Sequence, residues 1–207
     1  MKLIQRQGYL DFLRRNRNRP IVKVVSGIRR CGKSTLFRLF KDELLSEGVK
    51  PEQIISINFE ELEYEHLRDY HALYQYILER MQPDEMNYIF LDEIQHVDQF
   101  HRVVDSLFVK ENTDLYITGS NAYFMSCDIA TLLTGRYVEI QMLPLSFSEF
   151  YHSKYDGNQY SLIPAYESYL RESSFPYTQQ LGAKILIYKN IYEAYTIPYY
   201  YMMLWLD

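Results

Sequence analysis

The chain has 207 residues, 47% of them apolar, and a formal charge of −5. That is enough apolar surface for one buried core and gives no cationic field for a nucleic acid or an acidic membrane. Two cysteines, Cys31 and Cys127, imply no disulfide framework and point to a reducing, cytoplasmic setting; residues 1–20 carry charges throughout, and no stretch approaches a membrane helix of roughly 20 apolar residues.

Leu3, Leu10 and Leu13 share one face of an expected N-terminal helix, which Arg19-Pro20 breaks. The basic run Arg14, Arg15, Arg17 and Arg19 behind it reads as a solvated helix end rather than a phosphate-binding patch. Ile21–Val25 is a β-branched run and an expected buried strand. After a glycine-containing turn comes a helix with Leu36, Phe37, Phe40 and Leu44 on its inner face, ended by Gly48. Gln53–Phe59 is the second expected strand. Tyr70, Leu73, Tyr74, Ile77, Leu78 and Met81 keep a clean helical period after it. Asn87–Leu91 is the third strand, His101–Val109 a helix, Asp114–Thr118 the fourth strand and Tyr137–Met142 the fifth, stopped by Pro144. Strands alternating with helices predict an α/β fold with a mostly parallel five-stranded sheet covered on both faces.

The turn after the first strand carries the strongest signal. Gly27-Ile28-Arg29-Arg30-Cys31-Gly32-Lys33-Ser34 fits G-x-x-x-x-G-K-[ST] without a mismatch, followed by Thr35. Glycines let the backbone curl until successive N–H groups point at phosphate oxygens, and the next helix adds its positive N-terminus. Lys33 is placed to neutralise the β- and γ-phosphates of ATP, Ser34 to ligate Mg²⁺ and Thr35 to reach the α-phosphate. Arg29, Arg30 and Cys31 fill the variable positions and are expected to be solvated loop residues, with Cys31 structural rather than redox-active.

The third strand ends in Asp92-Glu93 at the sheet edge where ligands of such sheets bind. Asp92 is the expected second Mg²⁺ group and Glu93 the expected base for an attacking water, which favours hydrolysis over transfer to another acceptor. Ser120 and Asn121 end the fourth strand; either could touch the γ-phosphate, or both could cap an ordinary turn. Arg136, just before the fifth strand, could serve a γ-phosphate in cis, serve one in a neighbouring subunit, or form a surface salt bridge.

Five segments recur in order: Val-Val-Ser-Gly-Ile-Arg-Arg-Cys-Gly-Lys-Ser-Thr, Phe-Leu-Asp-Glu-Ile-Gln, Tyr-Ile-Thr-Gly-Ser-Asn, Leu-Thr-Gly-Arg-Tyr and Leu-Pro-Leu-Ser-Phe-Ser-Glu-Phe. Over about residues 1–180 the chain resembles the prokaryotic AAA-superfamily ATPases that carry a DUF4143 region after the ATPase core. The resemblance implies an additional-strand P-loop NTPase core with Gly32, Lys33 and Ser34 on nucleotide, Asp92 on Mg²⁺ and Glu93 as base. It also implies a C-terminal half with a winged-helix-like part and a nuclease-like fold. Residues 1–155 are accordingly expected to be the ATPase domain and 156–207 a remnant of the C-terminal region.

The resemblance stops after Phe175-Pro176-Tyr177. Family members continue there with a helix, whereas this chain becomes rich in Tyr and Ile from about Ala183 and ends Tyr-Tyr-Tyr-Met-Met-Leu-Trp-Leu-Asp. Back-translated in a shifted frame, residues 193–207 permit a family-like segment with two leucines and an aspartate forced by the code. A single-base slip between about Thr178 and Ala183 is the expectation, set against a diverged native ending. The sequence therefore predicts an Mg²⁺-dependent ATPase domain acting as a nucleotide switch toward an unidentified protein partner or another copy of itself. The competing readings are an ATP-binding module with little turnover, a small-molecule phosphotransferase, and a DNA-linked ATPase that the charge does not support.

Overall fold

The computed structural model describes residues 4, 6–120, 133, 135–155, 161–172 and 175–176. All six residues of β1 (Val22–Gly27) and of β3 (Asn87–Asp92) are buried, as strands covered on both faces must be. With β2 (Ile54–Asn58), β4 (Thr113–Ser120) and β5 (Tyr137–Met142) they form one parallel sheet in the order β2-β3-β4-β1-β5. The expected α/β fold with five parallel strands is the one found. β4 is inserted between β1 and β3, so the strand that feeds the glycine-rich turn and the strand that ends in Asp92 are not neighbours.

The strand period of two sorts the core into two layers. Val25, Tyr88, Phe90 and Tyr116 face helices α1 (Gln7–Asn16) and α2 (Lys33–Ser46), meeting Leu10, Leu13, Leu36, Phe37, Phe40 and Leu44. Their sequence neighbours Val24, Ile89, Leu91, Leu115 and Ile117 face α3 (Tyr70–Leu78) and α4 (Phe100–Phe108) through Leu73, Ile77, Val103, Val104 and Leu107. Phe90 and Tyr116 stack across adjacent strands with ring centroids 4.7 Å apart, and Phe37 meets Phe90 edge-on at 5.2 Å. The N-terminal arginines have partners. Arg14 binds Asp11 and the α2 residue Glu43, and Arg17 binds Glu47 and the hydroxyl of Tyr88. Arg14 and Arg17 thus bridge to α2, while Arg15 and Arg19 are exposed as a solvated helix end is expected to be.

A polar cluster lies under the sheet at its N-terminal edge. Lys23 and Asp114 form an ion pair with both side chains fully buried. The Asp114 carboxylate also accepts the Tyr116 hydroxyl at 2.7 Å and the backbone N–H of Asn18 at 2.8 Å, while Lys23 donates to the Arg19 carbonyl at 2.9 Å. Burial pushes the Lys23 ammonium below its ordinary pKa, against the pull of Asp114. Removing one partner strands the other charge in the core. Asp114→Ala is expected to cost about 3–5 kcal/mol of stability, read in urea unfolding; a loss under about 1 kcal/mol would show that water reaches the pair.

The chain divides into two compact units, Gln5–Leu143 and Pro144–Asp207 with Met1–Ile4. In the second unit α5 (Phe147–Tyr155) and α6 (Leu162–Glu172) pack through aromatic side chains, Phe147 on Tyr166 at 5.1 Å and Phe150 on Tyr169 at 5.3 Å. The Tyr169 hydroxyl donates to the Leu145 carbonyl at 2.9 Å. The frame slip expected after Thr178, and the tail beyond it, lie outside the described residues. Among the described residues no helix is long and apolar enough to cross a membrane.

Candidate functional site

The site begins where β1 ends. Gly27 has φ +153°, and a Cβ there would lie 2.4 Å from the carbonyl oxygen of Met142 on β5 and 3.0 Å from the Cys31 sulfur. Only glycine lets the turn pass that close to β5. Arg30 and Gly32 both take left-handed backbone, and Gly32 caps α2 so that Lys33 is its first residue. The Lys33 ammonium folds back over the turn, donating to the carbonyls of Gly27 at 3.2 Å and Ile28 at 3.4 Å. Arg29 and Arg30 are exposed as expected, and Arg29 pairs with Glu60 at 2.7 Å. Cys31 is not solvated. Its side chain is fully buried against Gly27 and packs in the α1–α2 core layer, where burial raises its thiol pKa. That fits structural use and not reactivity.

β3 delivers the acids to the same edge. Glu93 takes left-handed backbone, φ +54°, turning the chain so that two consecutive carboxylates serve one site. Lys33 and Glu93 form an ion pair at 3.0 Å with side chains 3% and 7% exposed. Ser34 lies beside the buried Asp92 carboxylate, and its hydroxyl works to lower that carboxyl's pKa. Thr118 on β4, which the sequence reading did not single out, ties these groups together. Its fully buried hydroxyl accepts the Glu93 backbone N–H at 2.9 Å and donates to the Asp92 carboxylate. Gln95 also went unremarked; its side-chain amide donates to the Glu93 carboxylate, while its own carbonyl oxygen is buried without a hydrogen-bond partner.

Ser120 ends β4 opposite Gly27 in the β1–β4 register, so it sits at the phosphate-loop edge. Asn121 lies outside the described residues. Arg136 is elsewhere. β5 runs parallel to β1, with Tyr137 beside Val22 and Met142 beside Gly27, so Arg136 precedes the strand at the opposite edge of the sheet. Six strand steps at about 3.3 Å each put its backbone about 20 Å from the level of Gly27. The cis role considered for it is therefore excluded by geometry. Its guanidinium pairs with Asp105 on α4 at 3.0 Å and lies over the Phe108 ring.

The donor set suits a metal-bound polyphosphate. Ser34 and Asp92 offer the hard oxygen ligands that Mg²⁺ takes, Lys33 a buried cation, and the start of α2 a positive helix end beside curled backbone. The family model described as "AAA domain" matches residues 19–151, which spans every site residue named above. The chain belongs to the AAA domain family. It is 42% identical over 176 residues to an uncharacterized protein of Haemophilus influenzae, covering 84% of this chain and 44% of that one. It is 32% identical over 134 residues to the uncharacterized protein MJ1544 of Methanocaldococcus jannaschii, covering 62% and 28%. The chain thus spans less than half the length of either curated relative. Among solved structures, the Walker-type ATPase of Pyrococcus abyssi matches at TM-score 0.55 and 17% identity, over 84% of this chain and 65% of that one. Hsp104 of Saccharomyces cerevisiae in complex with casein matches at TM-score 0.55 and 14% identity, over 85% and 36%. At such identities these matches speak for the fold, a P-loop NTPase of the AAA kind, and the family makes the chain an ATPase-like nucleotide-binding protein.

Within this AAA domain Asp92 works against the fold. Burial lifts its carboxyl above the usual range, although hydrogen bonds from Ser34 and Thr118 pull it back. With the folded pKa above the unfolded one, the folded chain holds more protons between those two values, so stability falls as pH rises through that window. Asp92→Asn keeps an acceptor for Thr118 and deletes the desolvated charge. Without metal or nucleotide it is expected to add about 0.5–2 kcal/mol of stability, seen as a higher urea midpoint; a lower midpoint would show that the carboxylate stabilises the fold.

Proposed function

We propose that this AAA domain is an Mg²⁺-dependent ATPase that works as a nucleotide switch. What carries the reading is one cluster in which a buried ammonium, a paired carboxylate and a hydroxyl–carboxylate pair meet around Thr118. The amides of residues 27–35 bind the β-phosphate, and Lys33 binds the β- and γ-oxygens. Mg²⁺ held by Ser34 and Asp92 would neutralise charge on the same oxygens.

The ion pair suggests how the base is controlled. Lys33 holds Glu93 directly, and a γ-phosphate competes for the same ammonium. Once that exchange is made, Glu93 is free to take a proton from water as the water oxygen attacks the γ-phosphorus and the bond to the β-phosphate oxygen breaks. Gln95, already bonded to Glu93, orients the base. Ser120, beside Gly27, and Asn121 after it are the candidates to respond to the γ-phosphate. Arg136 takes the surface ion pair with Asp105 that was the alternative to a nucleotide role, and service to a neighbouring copy's nucleotide would require that pair to open.

Following the label of γ-labelled ATP tests the reading. Release of label as orthophosphate, dependent on Mg²⁺ and stopped by chelation, is the expected result. Label on a small-molecule acceptor would make the chain a phosphotransferase, and binding without release would make it an ATP-binding module.

A further inference from the structure

Beside Ser34 and Asp92 a cleft of about 420 Å³ opens between α2 and the edge strand β2. Ser34, Arg38 and Lys41 line it from α2 at i, i+4 and i+7, the spacing that stacks side chains on one helix face. Ser56 and Asn58 line it from β2 at alternate positions, the spacing that shares one strand face. Tyr64 and Glu61 complete the rim, and Ser34, Thr35 and Asp92 are shared with the site already described.

Lys41 gives the cleft its character. Its half-buried ammonium donates to the Ser56 hydroxyl at 2.7 Å, a neutral partner, and lies 6.0 Å from the Phe90 ring centroid. Among the described residues no carboxylate comes within ion-pair distance of it, and the carboxylates acting on it from farther off are Asp92 across the cleft, then Asp42 and Glu61. Glu61 is engaged by the Asn58 amide at 3.0 Å. A partly desolvated cation with no carboxylate in contact has room for an anion. Asp92 alone would repel one, but a divalent cation on Ser34 and Asp92 reverses the sign of that wall. The cleft then offers an oxyanion Lys41, Arg38 and the hydroxyls of Ser56 and Tyr64.

We propose that this cleft is a binding site for orthophosphate, where the product of hydrolysis rests after leaving the Lys33–Glu93 side and before it reaches solvent. The assignment of product rests on the ATPase reading; the anion site itself does not. Lys41→Gln keeps a hydrogen-bonding group for Ser56 and deletes the charge, and a wild-type-like thermal midpoint confirms that it folds.

Calorimetric titration of inorganic phosphate into the chain loaded with ADP and Mg²⁺ is the test. Phosphate is expected to bind at least about fivefold more weakly to Lys41→Gln, with ADP affinity within about twofold of wild type. The same titration, with Mg²⁺ retained, on nucleotide-free Lys33→Ala and Lys33→Ala/Lys41→Gln keeps the two proposals separable. Phosphate binding that depends on Lys41 there supports the cleft even if ADP fails to bind and the ATPase reading falls. Phosphate affinity indifferent to Lys41 in both settings overturns the cleft and leaves the ATPase reading standing. Glycerol phosphate, titrated in parallel, separates two sources of the same oxyanion: an ester binding about tenfold more tightly than phosphate would overturn its assignment to the leaving product.

Discussion

Lys33→Ala is expected to weaken ATP·Mg²⁺ binding by at least about a hundredfold, the equivalent of roughly 2.7 kcal/mol. The magnitude follows from what the ammonium does. It is 4% exposed, it closes the turn onto the Gly27 and Ile28 carbonyls, and in the proposed reading it balances the β- and γ-phosphate charge. Charge-assisted hydrogen bonds to phosphate contribute about 1.5–3 kcal/mol each, and such contacts are lost together here. The substitution also removes the buried stem, so Lys33→Met, which preserves the stem and likewise leaves Glu93 without its ion-pair partner, is the matched control. Equilibrium titration with a fluorescent ATP analogue reads the effect in both. An affinity within threefold of wild type would remove the phosphate loop from the account.

Thr118→Val is expected to lower turnover by about 10²–10³-fold while leaving ATP affinity within a few-fold. Valine matches threonine in shape and removes only the hydroxyl. That hydroxyl satisfies the Glu93 N–H and holds the Asp92 carboxylate, so its loss frees the strained turn at Glu93 and lets Asp92 rotate. Misplacing a base and a metal ligand by about 1 Å is enough for losses of this order. Thr118→Ser retains the hydroxyl and is expected to recover most of the rate, a rescue that packing alone cannot explain. The Mg²⁺ concentration for half-maximal rate should rise in the valine variant and return in the serine variant. Equal losses in both would make Thr118 a packing residue.

The phosphate loop and the Asp92-Glu93 pair were legible in the sequence because each is set by local covalent order. A glycine spacing curls the backbone, and an apolar run ending in acids fixes which edge the acids reach. The sheet was legible for a related reason, since strands buried on both faces read as continuous apolar runs. Thr118 was hidden because its role is made across strands. Its neighbours Asp92 and Glu93 are 26 and 25 positions away, and nothing in the order of residues says that β4 lies against β3.

Arg136 teaches the opposite lesson. In a parallel sheet every strand starts at the edge away from the loops that follow the strands, so a residue just before β5 could have been assigned to the far edge from the sequence. The motif Leu-Thr-Gly-Arg-Tyr drew attention to its charge and away from its place. Cys31 was misread for a third reason. Solvation was inferred from its being in a loop, whereas the close passage of Gly27 past Met142 turns this loop position into the core.

Phosphate release by the wild-type chain measured beside Glu93→Gln tests the central claim most directly, that this buried cluster hydrolyses ATP. Glutamine keeps the size and the Gln95 contact but cannot take a proton. Wild type should release orthophosphate only with Mg²⁺, and Glu93→Gln should fall by about 10²–10⁴-fold with ATP still bound. Equal, near-zero rates in the two proteins would contradict the account and leave a domain that binds ATP without hydrolysing it.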